Sequence, residues 1–317
     1  MGIFKEIYND KNGIPFTAQT FLEQLRPSNS YWWKRDEKRS DWVFRGQWNS
    51  EWEIIPSAWR KFDNPLNELK NKLSKLNLPV STSKDFNESD FDFLLHLNAE
   101  CQPISDFYEL ANDLGFAVPN VPTNPLKNRT LYYHLDILSL QRALYLCQHH
   151  GVPTRLVDWT KNPIFAIYFA IGREFRSKEI PSYISVFALN LEKKAYTLGF
   201  DYKDYGGIIL SILTEENSKS NYINTQQGLF TIISSGRNEK ALKEYYKENN
   251  GFPSMENLLK LIEKQKNVAD PILLKFNLKI EEVNDLLLIL DRENISQAHL
   301  MPTLDKVAET VKARWNY

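Results

Sequence analysis

Residues 148–170, with the sequence QHHGVPTRLVDWTKNPIFAIYFA, place a dense group of polar side chains directly before a strongly apolar segment. Two histidines, an arginine, an aspartate and a tryptophan fall within the first thirteen residues of this stretch. Burying such groups without hydrogen-bond partners costs roughly 2–7 kcal/mol each. A fold that packs the apolar segment in its core must therefore pair these groups internally or use them in a binding site.

Helix and strand patterns lie on both sides of this polar group. Apolar residues between 137 and 147 recur at the spacing of one helical face, and residues 151–153 contain the Gly and Pro that typically end a helix. Residues 154–158 are expected to be extended. Asn162 is expected to cap the next helix, with Pro163 at its first position, and that helix is apolar on all sides.

The rest of the chain alternates between strand and helix patterns. Further strands are predicted at 41–45, 182–189, 208–213, 229–233 and 272–278, and further helices at 17–25, 91–101, 281–292 and 303–315. Gly46 is expected to end the first of these strands. The sequence therefore predicts a mixed α+β fold, interpreted as a single domain over residues 1–317 with surface excursions near 62–90 and 235–256.

The composition of the 317 residues is that of an ordinary globular protein, with 42% apolar and 25% charged residues. The net charge of −1 provides no overall field toward nucleic acid or anionic membranes. The sequence has no apolar run long enough to span a membrane, and its first residues lack the apolar stretch of a signal peptide. We therefore expect a cytoplasmic protein without membrane contacts. Two cysteines indicate neither a zinc site nor a disulfide framework.

Arg45 is the first candidate for a ligand contact. It ends the segment DWVFR and shares a strand face with Val43. The guanidinium fork suits a phosphate or a carboxylate, and Gly46 beside it would let a ligand approach the backbone closely. An internal salt bridge to an acidic side chain is the alternative interpretation of Arg45.

Arg155 and Asp158 are the charged residues of the central segment. In an extended chain they lie on opposite faces, so they do not simply pair with each other. Asp158 is expected to accept hydrogen bonds from the start of the next helix. Arg155 needs a partner elsewhere, and both a structural partner and a ligand remain open.

His149 and His150 end the first helix of the segment. Adjacent helical residues do not face each other, so the two rings do not form a metal site, and no zinc-binding spacing occurs. One histidine as a general base and both as helix-end partners are alternative interpretations.

Two other groups of residues have polar or aromatic character that suits a ligand. Gln226 and Gln227 precede a predicted strand, where they would either contact a base or ribose or satisfy loop backbone groups. Six of the eight tryptophans lie between residues 32 and 59. Core packing is favoured over base stacking for these rings, with one or two expected to line a pocket.

Three segments together resemble the FRG-domain family, which is named for a Phe-Arg-Gly triplet. The segments are 44–60 (FRGQWNSEWEIIPSAWR), 140–170 and 224–230 (NTQQGLF), and residues 299–305 (HLMPTLD) match the family ending more loosely. The triplet is followed by the family's Pro-Ser and Arg, at Pro56, Ser57 and Arg60. The resemblance implies a bacterial or phage-related protein that acts in conflict between the two.

The order of these segments also resembles that of ADP-ribosyltransferases. An arginine-glycine ends an early strand, an extended segment leads into an apolar helix, and a polar residue precedes a late strand. The resemblance implies that Arg45 holds the phosphates or ribose of NAD, with Gln226 or Gln227 in the place of a catalytic glutamate. Because a glutamine lacks that carboxylate, the resemblance implies either a variant transferase or a nucleotide binder without transfer activity.

These interpretations define one expected pocket in a mixed or split sheet of ADP-ribosyltransferase type. Its catalytic candidates are His149, His150 and Gln227, and its candidates for binding NAD or a related nucleotide are Arg45, Gly46, Arg155, Asp158, Tyr168 and Gln226. A non-catalytic sensor or partner-binding module is the main alternative. A nuclease that uses a histidine of the pair is the weakest, because neither metal spacing nor a basic surface supports it.

Overall fold

Short segments of alternating or continuous apolar side chains form one open, mixed β-sheet in the computed structural model of the chain. The structure describes residues 2–33, 40–61, 65–76, 87–116, 118, 141–171, 179–191, 198–213, 228–235, 239–266, 271–300 and 304–314. Gln226, Gln227 and the segments around them lie outside the described residues.

The sheet has eight strands. They are Phe4–Ile7 (β1), Trp42–Gln47 (β2), Leu156–Thr160 (β3), Tyr183–Asn190 (β4), Leu198–Asp201 (β5), Gly207–Leu213 (β6), Gly228–Ser234 (β7) and Leu273–Lys279 (β8). Their order across the sheet is β1-β8-β4-β2-β3-β7-β6-β5. Strands β1 and β8 are parallel, and the other neighbouring strands are antiparallel.

Helices cover the sheet and follow recognisable start signals. They are Ala18–Leu25 (α1), Pro65–Ser74 (α2), Phe91–Asp113 (α3), Gln141–His149 (α4), Pro163–Ile171 (α5), Lys240–Asn249 (α6), Met255–Gln265 (α7), Val283–Arg292 (α8), Gln297–Leu300 (α9) and Leu304–Arg314 (α10). The side chains of Thr17 and Ser254 cap α1 and α7 by accepting backbone N–H groups. Asn162 Oδ1 accepts the N–H of Ile164, so the predicted cap of α5 is confirmed.

Apolar side chains from both faces of the sheet form the core. On one face Val43, Trp159 and Phe187 pack with α6 and α7. On the other face, side chains of β2, β4 and β8 pack with α1, α5 and α8. Helices α3 and α4 cover β3 and β7, where Tyr145 and Phe230 stack with ring centroids 4.9 Å apart.

The α+β fold class is confirmed, and the predicted strands agree with β4, β6, β7 and β8 to within about a residue at each end. Strands β1 and β5 were not predicted, and α3 is far longer than the expected helix at 91–101. Among the helices of the described ranges, none has the length and apolar character needed to cross a bilayer.

The segment 235–256, expected as a helical surface excursion, contains α6, but its described part is only partly at the surface. Ala241 and Leu242 of α6 are fully buried, and Met255 and Leu258 at the start of α7 are buried as well. The segment looked exposed because charged residues dominate its sequence, but two of those charges, Glu239 and Lys243, are themselves buried and paired. Because these charges are paired inside the fold, the sequence did not reveal that one face of α6 packs in the core.

Candidate functional site

The eight-stranded sheet divides between β2 and β3. Strand β2 pairs with β4 along its whole length, and β3 pairs with β7 from Leu156 to Thr160. A single register pair, Phe44 with Thr160, joins β2 to β3. The two four-stranded halves therefore touch at one end of these strands and separate toward Arg45 and Asp158, which forms a split in the middle of the sheet.

Gly46 explains how helix α5 lies so close to β2. A Cβ atom on Gly46 would stand 1.9 Å from the carbonyl oxygen of Ala166 and 2.5 Å from the backbone nitrogen of Ala170. The close backbone approach expected at Gly46 is therefore made by the protein's own helix rather than by a ligand. Gly46 also does not end the strand, because β2 continues through it to Gln47.

Arg45 spans the split. Its Nη1 donates to the main-chain oxygen of Asp158 at 3.0 Å and lies 2.8 Å from Asp158 Oδ1. The two residues belong to opposite strand faces, and they meet because β2 and β3 separate beyond Phe44. Within the described residues, Arg45 Nε is buried and has no hydrogen-bond partner. Arg45 therefore contacts the central segment directly.

Asp158 is exposed although it lies in a central strand. Its side chain is 58% exposed, while its neighbours Val157 and Trp159 are buried. Desolvation raises the pKa of Asp158, but the charge of Arg45 and the hydrogen bonds to the carboxylate outweigh it and hold the pKa below its usual value. The Asp158 carboxylate is therefore paired with Arg45 and still reachable by solvent. The turn role expected for Asp158 belongs instead to Thr160, whose Oγ1 accepts the N–H of Asn162.

The loop after β2 borders the same split. Ala58 N donates to the carbonyl oxygen of Thr154 at 3.0 Å, and Ser57 Oγ and the backbone of Thr154 exchange hydrogen bonds of 3.1 and 3.2 Å. These bonds fix residues 57–60 beside the start of β3. Ser57 therefore anchors the loop that leads to Arg60.

Arg60 is the residue of this loop that sequence reasoning did not include among the site candidates. Desolvation and the charge of Arg45 lower the pKa of Arg60, and Asp158 partly offsets them. Arg60 therefore acts electrostatically on both residues of the split, and the three side chains together carry a net charge of +1. The signal that could have identified it was its fixed place in the Phe-Arg-Gly, Pro-Ser, Arg pattern.

Glu256 holds the other end of the loop. Both of its carboxylate oxygens accept the N–H of Ile54, at 3.0 and 3.1 Å, and Met255 N donates to the Ile54 carbonyl. Glu256 is 6% exposed, and desolvation raises its pKa to about 7. His96 on α3 shows the converse effect, since desolvation lowers its pKa to about 4.

Glu256→Gln is expected to change how stability depends on pH. Between about pH 4.5 and 7 the unfolded chain releases the Glu256 proton while the folded protein keeps it, so this group lowers the free energy of unfolding as the pH rises. The full change is roughly 3 kcal/mol. Urea denaturation from pH 4.5 to 8 should show the variant gaining stability relative to the natural protein across this window.

His96→Leu provides the matched comparison. The pKa of His96 lies below the usual 6.5, so its contribution to stability is lost as the pH falls from about 6.5 to 4. The variant should therefore gain relative stability toward acid, the opposite of Glu256→Gln. Parallel pH curves for the natural protein and Glu256→Gln would contradict this account of Glu256.

Arg155 does not reach the split, because it is enclosed and paired on both sides. Its side chain is fully buried. Nε and Nη2 bind the carboxylate of Glu100 at 2.5 and 3.0 Å, and Nη1 binds Glu239 at 2.7 Å. The guanidinium also lies 5.4 Å from the centre of the Trp59 ring. Of the alternatives open for Arg155, the structure supports an internal structural role.

The other site candidates within the described residues lie on or next to helices α4 and α5. His149 and His150 are exposed at the end of α4, and His150 stacks on Phe107 of α3 with ring centroids 5.8 Å apart. Tyr168 is half-buried on α5. Across the described ranges, no three His, Cys, Asp or Glu side chains come together as a metal site.

The tryptophans mainly pack the core. Trp32, Trp48 and Trp59 are buried, and Trp32 contacts the edges of Phe44 and Phe276. Trp33 and Trp52 are 39% and 43% exposed. Core packing therefore accounts for the buried members of the group, as the sequence favoured.

Comparison with known proteins identifies one family. A family model described as "FRG domain" matches residues 122–179, which include β3, α5 and the Asp158 side of the split. No curated protein matches the chain, and no solved structure does. The FRG-domain resemblance that the sequence motifs indicated is confirmed as a match of residues 122–179 to this family model.

Proposed function

We propose that the split between β2 and β3 binds NAD or a related nucleotide, in an ADP-ribosyltransferase-like manner. One observation carries the proposal: Arg45 and an exposed Asp158 meet in the middle of a sheet, at the point where its two halves separate. Side chains in the centre of a sheet are ordinarily covered. An exposed carboxylate there, paired with a largely buried arginine, supports an opening that a ligand could enter.

The charges of the split suit a phosphorylated ligand. Arg45 and Arg60 outnumber Asp158 by one positive charge, and guanidinium groups bind phosphate oxygens with strong, directional hydrogen bonds.

Transfer of ADP-ribose from NAD is the more specific part of the proposal. It requires cleavage of the bond between the ribose C1′ and the nicotinamide nitrogen, with nicotinamide leaving and water or an acceptor attacking C1′. Asp158 is the carboxylate that the described residues place at the split. Action in conflict between bacteria and phage is the biological setting that the FRG motifs suggest for this activity.

The same ion pair favours a second candidate, a binding module without catalysis. Asp158 already neutralises part of the charge of Arg45, and an internal salt bridge was one interpretation of this arginine from the outset. A measured release of nicotinamide from NAD that is lost in a folded Arg45→Met variant would exclude this candidate.

Isothermal titration with NAD and ADP-ribose tests the binding proposal. Arg45→Met should weaken binding roughly 10- to 100-fold, because a charge-assisted hydrogen bond contributes about 1.5–3 kcal/mol. Arg26→Met is the matched control, since Arg26 also pairs with a carboxylate, that of Glu293, which directly follows α8. Absence of binding to the natural protein, or equal losses in both variants, would refute the proposal.

A further inference from the structure

We propose that Asp158 makes the split selective for ribonucleotides, by accepting hydrogen bonds from the ribose hydroxyls of a ligand whose phosphate is bound by Arg45. The inference rests on the proposed function and specifies the ligand class of the same site. It gives Asp158 a role in the bound state that differs from its role in the free protein, where it pairs with Arg45.

The position of Asp158 supports this role. The residues on either side of it are buried, yet its own side chain is 58% exposed. Space in front of the carboxylate therefore exists in the middle of the sheet. A carboxylate offers about four acceptor positions, and Arg45 contacts Oδ1, so the group has capacity for further donors.

Ligand binding would redistribute the contacts of Arg45. Its Nη1 is shared between the main-chain oxygen and the carboxylate of Asp158. An anion that takes the guanidinium competes with the carboxylate for it, and the carboxylate is left in a partly desolvated position next to a second negative group. Hydroxyl donors resolve this conflict because they satisfy the carboxylate without adding charge.

Arg45 and Asp158 together therefore distinguish two classes of anion. Inorganic pyrophosphate has the charge that Arg45 and Arg60 attract, but no hydroxyl for Asp158. A ribonucleotide satisfies both groups. A site with a polar group that needs a hydroxyl discriminates against an analogue that lacks it, because the polar group is then left unpaired.

Calorimetric titration of three probes tests the inference: ADP, 2′,3′-dideoxy-ADP and inorganic pyrophosphate. In the natural protein ADP should bind roughly 10- to 100-fold more tightly than the dideoxy form. In Asp158→Asn the carboxylate charge is gone, so pyrophosphate should bind more tightly, while the preference for ADP over its dideoxy form should shrink because a neutral amide oxygen is a weaker acceptor. Tighter binding of pyrophosphate together with a smaller preference for ADP over its dideoxy form is an outcome that a merely structural Asp158 would not produce.

Controls separate failure of the inference from failure of the proposed function. A natural protein that binds none of the three probes, nor NAD, overturns both. Equal binding of ADP and its dideoxy form, or parallel changes of all three probes in Asp158→Asn, overturns the role of Asp158 alone. Thermal melting shows whether Asp158→Asn is folded, and Asp158→Ser serves as a second variant if it is not.

Discussion

Replacing Arg155 by methionine is expected to lower the free energy of unfolding by about 3–5 kcal/mol, the cost of breaking a buried ion pair by removing one partner. Glu100, Arg155 and Glu239 are all at most 2% exposed. Burial raises the pKa of Glu239 even beside the guanidinium. Without Arg155 two carboxylates would remain in the core with no cation between them, and urea denaturation at neutral pH measures the loss.

A compensated variant tests the physical reason for that loss. Adding Glu100→Gln and Glu239→Gln to Arg155→Met removes both uncompensated charges while keeping the shapes of the side chains. We expect this triple variant to regain much of the lost stability, because the penalty arises from unpaired charge rather than from missing volume. If Arg155→Met alone costs less than about 1 kcal/mol, the cluster is not a main support of the fold.

Gly46→Ala is expected to have a second large effect, at about 3 kcal/mol or more. The added Cβ would overlap the backbone of α5 at Ala166 and Ala170, and backbone atoms cannot move aside as a flexible side chain can. Either α5 shifts away from β2 or the strand distorts. Because Arg45 precedes Gly46 directly, we also expect weaker nucleotide binding in any folded fraction of this variant.

Gly207→Ala is the matched control for this substitution. Gly207 also lies in a strand, β6, but the nearest atom to its added Cβ would be 3.7 Å away, an ordinary contact distance. The urea concentration at which Gly207→Ala is half unfolded should differ little from that of the natural protein. Similar losses in both variants would show that the cost reflects the glycine backbone and not the approach of α5.

The local signals of this sequence predicted its local structure well. The apolar pattern of residues 163–171 and the Asn-Pro start predicted α5 with its observed cap, and short apolar segments predicted four of the strands closely. Strands β1 and β5 escaped prediction because each has only four residues, too few for a clear alternation. Both strands are defined by pairing with a neighbouring strand, β1 with β8 and β5 with β6.

The candidate site was only partly predictable, because its contacts join distant parts of the chain. Arg155 was known to need a partner, but its two glutamates lie 55 and 84 residues away. Arg45 and Asp158 were both assigned to one expected pocket, but without a direct contact between them. Their contact depends on the separation of β2 from β3, which no local pattern encodes.

The most direct test of the central claim is a crystal structure of the protein with ADP-ribose. The account predicts that the ligand lies in the split between β2 and β3, with a phosphate oxygen within hydrogen-bond distance of Arg45 and a ribose hydroxyl within hydrogen-bond distance of Asp158. A ligand bound elsewhere on the molecule, with the Arg45–Asp158 ion pair unchanged, would contradict it.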